Sequence, residues 1–251
     1  VTGWLAAGAW GLLGGAALVV GAAIAWFVAV PPKATASVMA FGAGVLISAL
    51  AFDLVQEAAD SGGLGTAAVG FLVGAVAYML ANAVLARHGA RHRKRSRDQQ
   101  PSERDQAGSG AAIAVGALLD GIPESVVLGA SLLGGGAVSV AVVAAVVISN
   151  VPEGLSSAAG MKNAGRSAGY VFGVWGTIAV VSAVAAALGY LLLGSASPQV
   201  GAVITAVAAG AILTMVADTM IPEAFERTHA FTGLIAALGF LCAFSISRLG
   251  S

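Results

Sequence analysis

Apolar stretches long enough to cross a bilayer recur along nearly the whole chain, and this recurrence leaves few folds open. A spanning helix needs roughly 20 apolar residues. Eight such stretches can be read, over 3–29, 35–59, 63–86, 108–134, 137–161, 167–193, 198–223 and 230–248. They leave no room for a soluble domain. In lipid every backbone N–H and C=O must be satisfied inside the protein, so only helices and closed barrels span. A barrel would be written as short alternating strands, which the sequence lacks. Charged residues make up 10% of the chain, against about 25% in soluble domains. The expected fold is therefore an all-α membrane protein forming one transmembrane domain over 1–251. The 35 glycines fit close helix packing, since small residues let backbones approach within lipid. The first apolar run is too long for a signal-peptide core and has no basic leader.

Orientation is read from Lys and Arg. Of twelve, seven fall in 87–104, and Lys33, Lys162, Arg166 and Arg227 fall in the other odd-numbered connections. Only Arg248 lies on the opposite side. Positive residues stay in the cytoplasm, so both termini are expected to be extracytoplasmic. The segment 87–107 is expected to be a flexible basic loop that fixes topology and touches anionic lipid. Its His88 and His92 are weaker candidates for transient metal contact. The single cysteine, Cys242, excludes an intrachain disulfide and a thiolate cluster.

Against this background the acids stand out. Asp53, Glu57, Asp120, Glu124, Glu153, Asp218 and Glu223 all fall inside expected spans, while no Lys or Arg lies well inside one. An ionised carboxylate at a helix centre costs about 2.5–3.5 kcal/mol. With no base in the spans, either the acids are protonated or a cation enters from outside. Asp120 and Glu124, and likewise Ser149 and Glu153, are four residues apart, so each pair shares a helix face near the expected midplane. Pro123 and Pro152 cannot donate to the carbonyls of Leu119 and Ile148, and Pro222 leaves that of Asp218 free. A carboxylate beside a freed carbonyl is a cation site by chemistry. One intramembrane Pro-Glu pair could be a protonated acid bonded to a neighbouring helix; three such pairs favour ligands. Asp53 and Glu57 near the outer end, and Asp218 and Glu223 near the inner end, extend the acids into a line across the membrane. Ser156 and Ser157 read as packing.

These motifs resemble the ZIP family (Zrt-, Irt-like proteins) of divalent-metal transporters. The fourth helix of that family typically reads His-Asn-x-Pro-Glu-Gly; here it is Asp120-Gly121-Ile122-Pro123-Glu124-Ser125. The fifth helix, Ser149-Asn150-Val151-Pro152-Glu153-Gly154, matches the family's second Pro-Glu-Gly. "ALAFDLVQEA" and "DTMIPEAFE" resemble the acidic segments of its second and late helices. The resemblance implies eight helices in a 3+2+3 arrangement, with helices 1–3 and 6–8 as inverted repeats around helices 4 and 5. It also implies a midplane metal site built from Asp120, Glu124, Ser149, Asn150 and Glu153, with Asp218 nearby, and an ion pathway through Asp53, Glu57 and Glu223. The chain would be a divergent bacterial-type member that lacks the usual histidines of helices 4 and 5, resident in the plasma membrane.

The function expected is inward transport of divalent metal ions as substrate, with no prosthetic group and no enzymatic activity. Zn²⁺ is favoured by the resemblance. Mn²⁺ or Fe²⁺ fits the all-oxygen ligand set, because zinc favours nitrogen and sulfur. Membrane lipid and a second copy in a homodimer are compatible partners, and no nucleic-acid partner is expected. The alternatives are a Na⁺- or H⁺-coupled carrier of another cation and an intramembrane aspartyl-type hydrolase; a metal-sensing receptor also fits. Aromatics are 6% of the chain and absent from the two Pro-Glu motifs, which weighs against an organic cation. "GRSAG" (165–169) matches Gly-x-Ser-x-Gly, but no strand precedes it to form a nucleophile elbow.

Overall fold

A computed structural model describes residues 3–95, 99–132 and 140–250. The turn expected at 134–137, and Arg97 of the basic segment, lie outside the described residues. Among the described residues, seven apolar helical stretches are long enough to cross a membrane. The last of them, Pro198–Leu249, has 52 residues, more than twice what a bilayer needs. It breaks at His229, which takes φ 43°, a left-handed conformation costly for a residue with a Cβ. The Thr228 and Thr232 hydroxyls brace the break, 2.6 Å apart, with Thr232 donating to the His229 carbonyl at 2.8 Å.

The long helices are α1 (Gly3–Phe27), α2 (Pro32–Gly62), α3 (Leu64–Arg87), α4 (Ser109–Ala130), α5 (Val140–Asn163), α6 (Ala168–Gly194), α7 (198–228) and α8 (Thr232–Gly250). Local sequence sets their ends. Pro32 and Pro198 occupy the first turn, where a missing N–H is harmless. Ser167 caps α6 by accepting from the Tyr170 N–H at 3.2 Å. Gly63, with φ 82°, separates α2 from α3. Two helices carry a π-helical turn, Leu50–Val55 in α2 and Val216–Met220 in α7, and each contains an aspartate.

The helices pack as two groups. In the first, α1 lies against α5 and α6, and α4 against α6; in the second, α3 lies against α7 and α2 against α8. The groups join where α2 meets α5 and α7, and α4 meets α7. Hydrophobic collapse does little for helix association in lipid, and close backbone approach must replace it. Glycines supply that approach in reciprocal pairs. A Cβ on Gly21 would run into the Val151 carbonyl of α5, and one on Gly154 into the Leu18 carbonyl of α1. Gly74 faces the Val207 carbonyl and Gly210 that of Phe71, tying α3 to α7. Gly44 and Gly239 do the same for α2 and α8, against Ala236 and Phe41.

The described residues of the basic segment are folded against the helices. After α3 it makes a 3₁₀ turn, Ala90–His92, and Glu103 then caps α4. The Glu103 carboxylate accepts from the N–H groups of Gly110 and Gly108 at 2.7 Å each, and from Arg166 at 2.8 Å. These contacts, with Gly110 the strongest, pull its pKa down from 4.5 to about 2. A depressed carboxylate pKa gives stability that is present above the unfolded value and lost as pH falls through the folded one. Glu103→Ala is therefore expected to speed amide exchange at Gly108–Ala112 at neutral pH. In the wild type the same protection should fade between about pH 4.5 and pH 2. Equal exchange in both proteins at pH 7 would disprove the cap.

Candidate functional site

Asp120 and Glu124 of α4, and Ser149, Asn150 and Glu153 of α5, are all buried. α4 and α5 stay helical through Pro123 and Pro152. The four-residue spacing puts Asp120 and Glu124 on one face of α4, and Ser149 and Glu153 on one face of α5, and the faces turn toward one another, since Lys94 reaches both Asp120 and Glu153.

What compensates these charges is the chain's own basic segment. Arg93 is 1% exposed and Lys94 3%, so the expectation that no base is buried fails. The Arg93 guanidinium grips Asp120 in a two-pronged contact, Nε to Oδ2 at 2.9 Å and Nη2 to Oδ1 at 2.8 Å. Nη2 also donates to the Tyr78 hydroxyl at 2.7 Å, and Nη1 donates to Asn82 Oδ1 at 2.7 Å and the Ala90 carbonyl at 3.3 Å. All five guanidinium donors thus have acceptors. The Tyr78 hydroxyl in turn donates to Asp120 Oδ1 at 2.5 Å. Burial opposes the charge on Arg93, but Asp120 more than offsets it and raises the pKa above the ordinary arginine value.

Lys94 sits between the two helices. Its Nζ is 2.7 Å from Glu153 Oε2 and 3.4 Å from Asp120 Oδ2. Two carboxyl groups, Asp120 and Glu153, therefore share two cations, while Glu124 Oε1, fully buried, has no hydrogen-bond partner. Asn150 sits beside Glu124 and donates its amide to the Gly14 carbonyl of α1 at 2.9 Å. The Ser149 hydroxyl turns back to the Val146 carbonyl at 3.0 Å, the habit of serine in helices. Among the described residues, no three His, Cys, Asp or Glu side chains are grouped closely enough to hold a metal ion.

The outlying acids separate. Glu223 of α7 is buried; its Oε1 lies 3.0 Å from the Ser156 hydroxyl, and its Oε2 is 3.4 Å from Arg95, which also pairs with Glu226. Asp218 is exposed and stands outside this network. Asp218 and Glu223 are five residues apart and differ in surroundings, the first exposed and the second buried, contrary to a single line of acids. At the far end of the bundle, Asp53 and Glu57 line a cavity of about 470 Å³ with Asp60, Ser131, Thr205 and Ser247. Ser247 donates to Asp53 at 3.0 Å. The cavity reaches Val127 of α4, three residues beyond Glu124.

The residues around these acids that the sequence reading does not pick out are Arg93, Lys94, Tyr78, Asn82 and Gln100, together with Ser156, which it reads as packing. One signal points to them: seven acids without a base, next to a segment holding seven of the twelve basic residues. No family model matches the chain, and no curated protein matches it.

Proposed function

We propose that this chain moves divalent metal ions across a membrane by way of Asp120, Glu124 and Glu153. The observation that carries the reading is three buried carboxyl groups on α4 and α5, two of them, Asp120 and Glu153, joined through Lys94, with one Glu124 oxygen unpartnered. A buried carboxyl oxygen without a partner is costly, and a cation that enters beside Glu124 supplies one. The cavity lined by Asp53 and Glu57 suits a mouth that concentrates cations by its field. Glu223 marks the other end of the route, and Asn150 serves as a neutral oxygen ligand. Ser149 and Asp218 are minor members of the set.

The resemblance to the ZIP family is part of this proposal, and so is the 3+2+3 arrangement. Support comes from the packing. Exchanging α1, α2 and α3 with α6, α7 and α8, and α4 with α5, turns each principal helix contact into another one or, for α1 on α6 and α2 on α7, into itself. Thus α1 on α5 becomes α6 on α4, α3 on α7 becomes α8 on α2, and α2 on α5 becomes α7 on α4. The π-helical turns of α2 and α7 exchange as well, as inverted repeats require. With the break at His229 counted, the chain crosses the membrane eight times. The basic end then faces the cytoplasm and both termini face outward.

An oxygen-only set favours hard ions such as Mn²⁺ and Fe²⁺ without excluding Zn²⁺. The test is Mn²⁺ and Zn²⁺ uptake by proteoliposomes. Glu124→Gln and Glu153→Gln, which keep volume and remove charge, should each lower uptake at least about tenfold while the protein stays monodisperse. Uptake at the wild-type rate by both variants would overturn the assignment.

A further inference from the structure

We propose that Lys94 is a tethered cation that holds the ion position between Asp120 and Glu153, and that a divalent ion binds by displacing it. The proposal rests on the transport reading and adds its regulation.

The helices are built to receive the segment. Gly116 of α4 leaves space for the Arg93 side chain, whose Cδ and Nε would lie 2.5 and 2.9 Å from a Cβ there. Gly160 of α5 leaves space for the Arg95 carbonyl in the same way. Gln100 then clasps the backbone, its Nε2 donating to the carbonyls of Arg93 at 2.9 Å, Arg95 at 3.0 Å and Ser157 at 3.0 Å. The Ser156 hydroxyl donates to the Lys94 carbonyl at 2.6 Å. Gly116 and Ser156 each lie seven residues inside their helix from the basic end. At 1.5 Å per residue, the segment enters about 10 Å into the bundle.

The two cations it delivers are held differently. Arg93 spends all five donors on four residues and is an anchor. Lys94 has three N–H donors and meets only two carboxylates, at 2.7 and 3.4 Å, on a flexible stem that can withdraw while Arg93 stays. Charge then selects the incoming ion. With Lys94 in place, Asp120 and Glu153 are paired with Arg93 and Lys94, and the nearby Glu124 carboxyl keeps one oxygen unpartnered. A monovalent ion would only repeat the charge of Lys94, whereas a divalent ion brings one charge more, which the carboxylate form of Glu124 can meet. The site therefore accepts M²⁺ in exchange for one ammonium, with Arg93 retained.

A tethered competitor lowers apparent affinity by the fraction of time it leaves the site free. Lys94→Gln keeps the backbone contacts of Gln100 and Ser156 and removes the competitor. Purified Lys94→Gln should bind Mn²⁺ at least about tenfold more tightly than wild type by calorimetry, and Lys94→Arg, which keeps the charge, should not. A second readout is independent of binding. The chain has three lysines, Lys33, Lys94 and Lys162, so amine acylation can be followed at each by mass spectrometry. Lys94 should resist acylation in metal-free wild type, and react at least about fivefold faster in saturating Mn²⁺ or in Glu153→Gln, with Lys33 unchanged. If wild type binds Mn²⁺ and Lys94→Gln binds it no more tightly, the displacement idea falls and transport stands. Acylation of Lys94 as fast as Lys33 in metal-free wild type would also overturn it. If neither protein binds Mn²⁺ or Zn²⁺, both readings fall.

Discussion

Gly154→Leu is expected to abolish recovery of folded protein. Gly154 closes the stretch Ser149–Gly154, directly after the Glu153 that contacts Lys94. A Cβ at this position would run into the Leu18 carbonyl of α1. The obstacle is backbone, so rotamer changes cannot relieve it, and α1 and α5 must separate along their shared face. Overpacking a core costs about 1–3 kcal/mol where side chains can shift, and here they cannot. Separation would also remove the Asn150 amide from its Gly14 partner on α1. Gly176→Leu is the control, since a Cβ on Gly176 meets nothing within 4 Å. After detergent extraction, Gly154→Leu should lose nearly all of its monodisperse peak and Gly176→Leu should keep it. Comparable peaks would mean that α5 tolerates a shift away from α1.

How much of this is legible in the sequence depends on the range of the interaction. Helices of spanning length are dictated by composition and by the absence of water in lipid, both visible in the residues themselves. That Asp120 and Glu124 share one face, and Ser149 and Glu153 another, follows from a four-residue spacing within regular helix; that the two faces meet does not. Asp218 escapes because no four-residue spacing ties it to Glu223, five residues on, and the π-helical turn Val216–Met220 alters the period where the residues give no warning. The larger omission is Arg93 and Lys94. Their charge reads as solvated because a basic run between two spans usually is. Docking into the bundle depends on Gly116 and Gly160, which look like any other helical glycine, and on Gln100, whose amide reaches three carbonyls in space. No periodicity connects those residues. What the sequence does contain is an imbalance of charge in the spans, and the nearest basic run is the one place able to correct it.

The same pairing makes Asp120 the residue whose neutralisation should disturb the molecule most deeply after the helix contacts. Asp120→Asn keeps shape and can still accept from Tyr78 or Arg93, but removes the charge that faces Arg93 at 2.8 Å and Lys94 at 3.4 Å. Breaking one side of a buried ion pair typically costs about 3–5 kcal/mol, because the remaining charge is left without a counterion. For a chain of this size, that corresponds to a fall in melting temperature of roughly ten degrees. Removing both partners is different, since a well-packed apolar replacement for a buried pair is often neutral or better. Asp120→Leu combined with Arg93→Met should therefore melt closer to wild type than Asp120→Asn alone. The double variant also separates two roles of Asp120. If Asp120 only anchors the basic segment, restored stability should restore Mn²⁺ uptake. If it is also a ligand in the ion path, uptake should stay at least about tenfold below wild type in the stable double variant. A melting temperature for Asp120→Asn equal to wild type would show that Arg93 and Lys94 do not depend on Asp120, and that the segment is held by its backbone clasp instead.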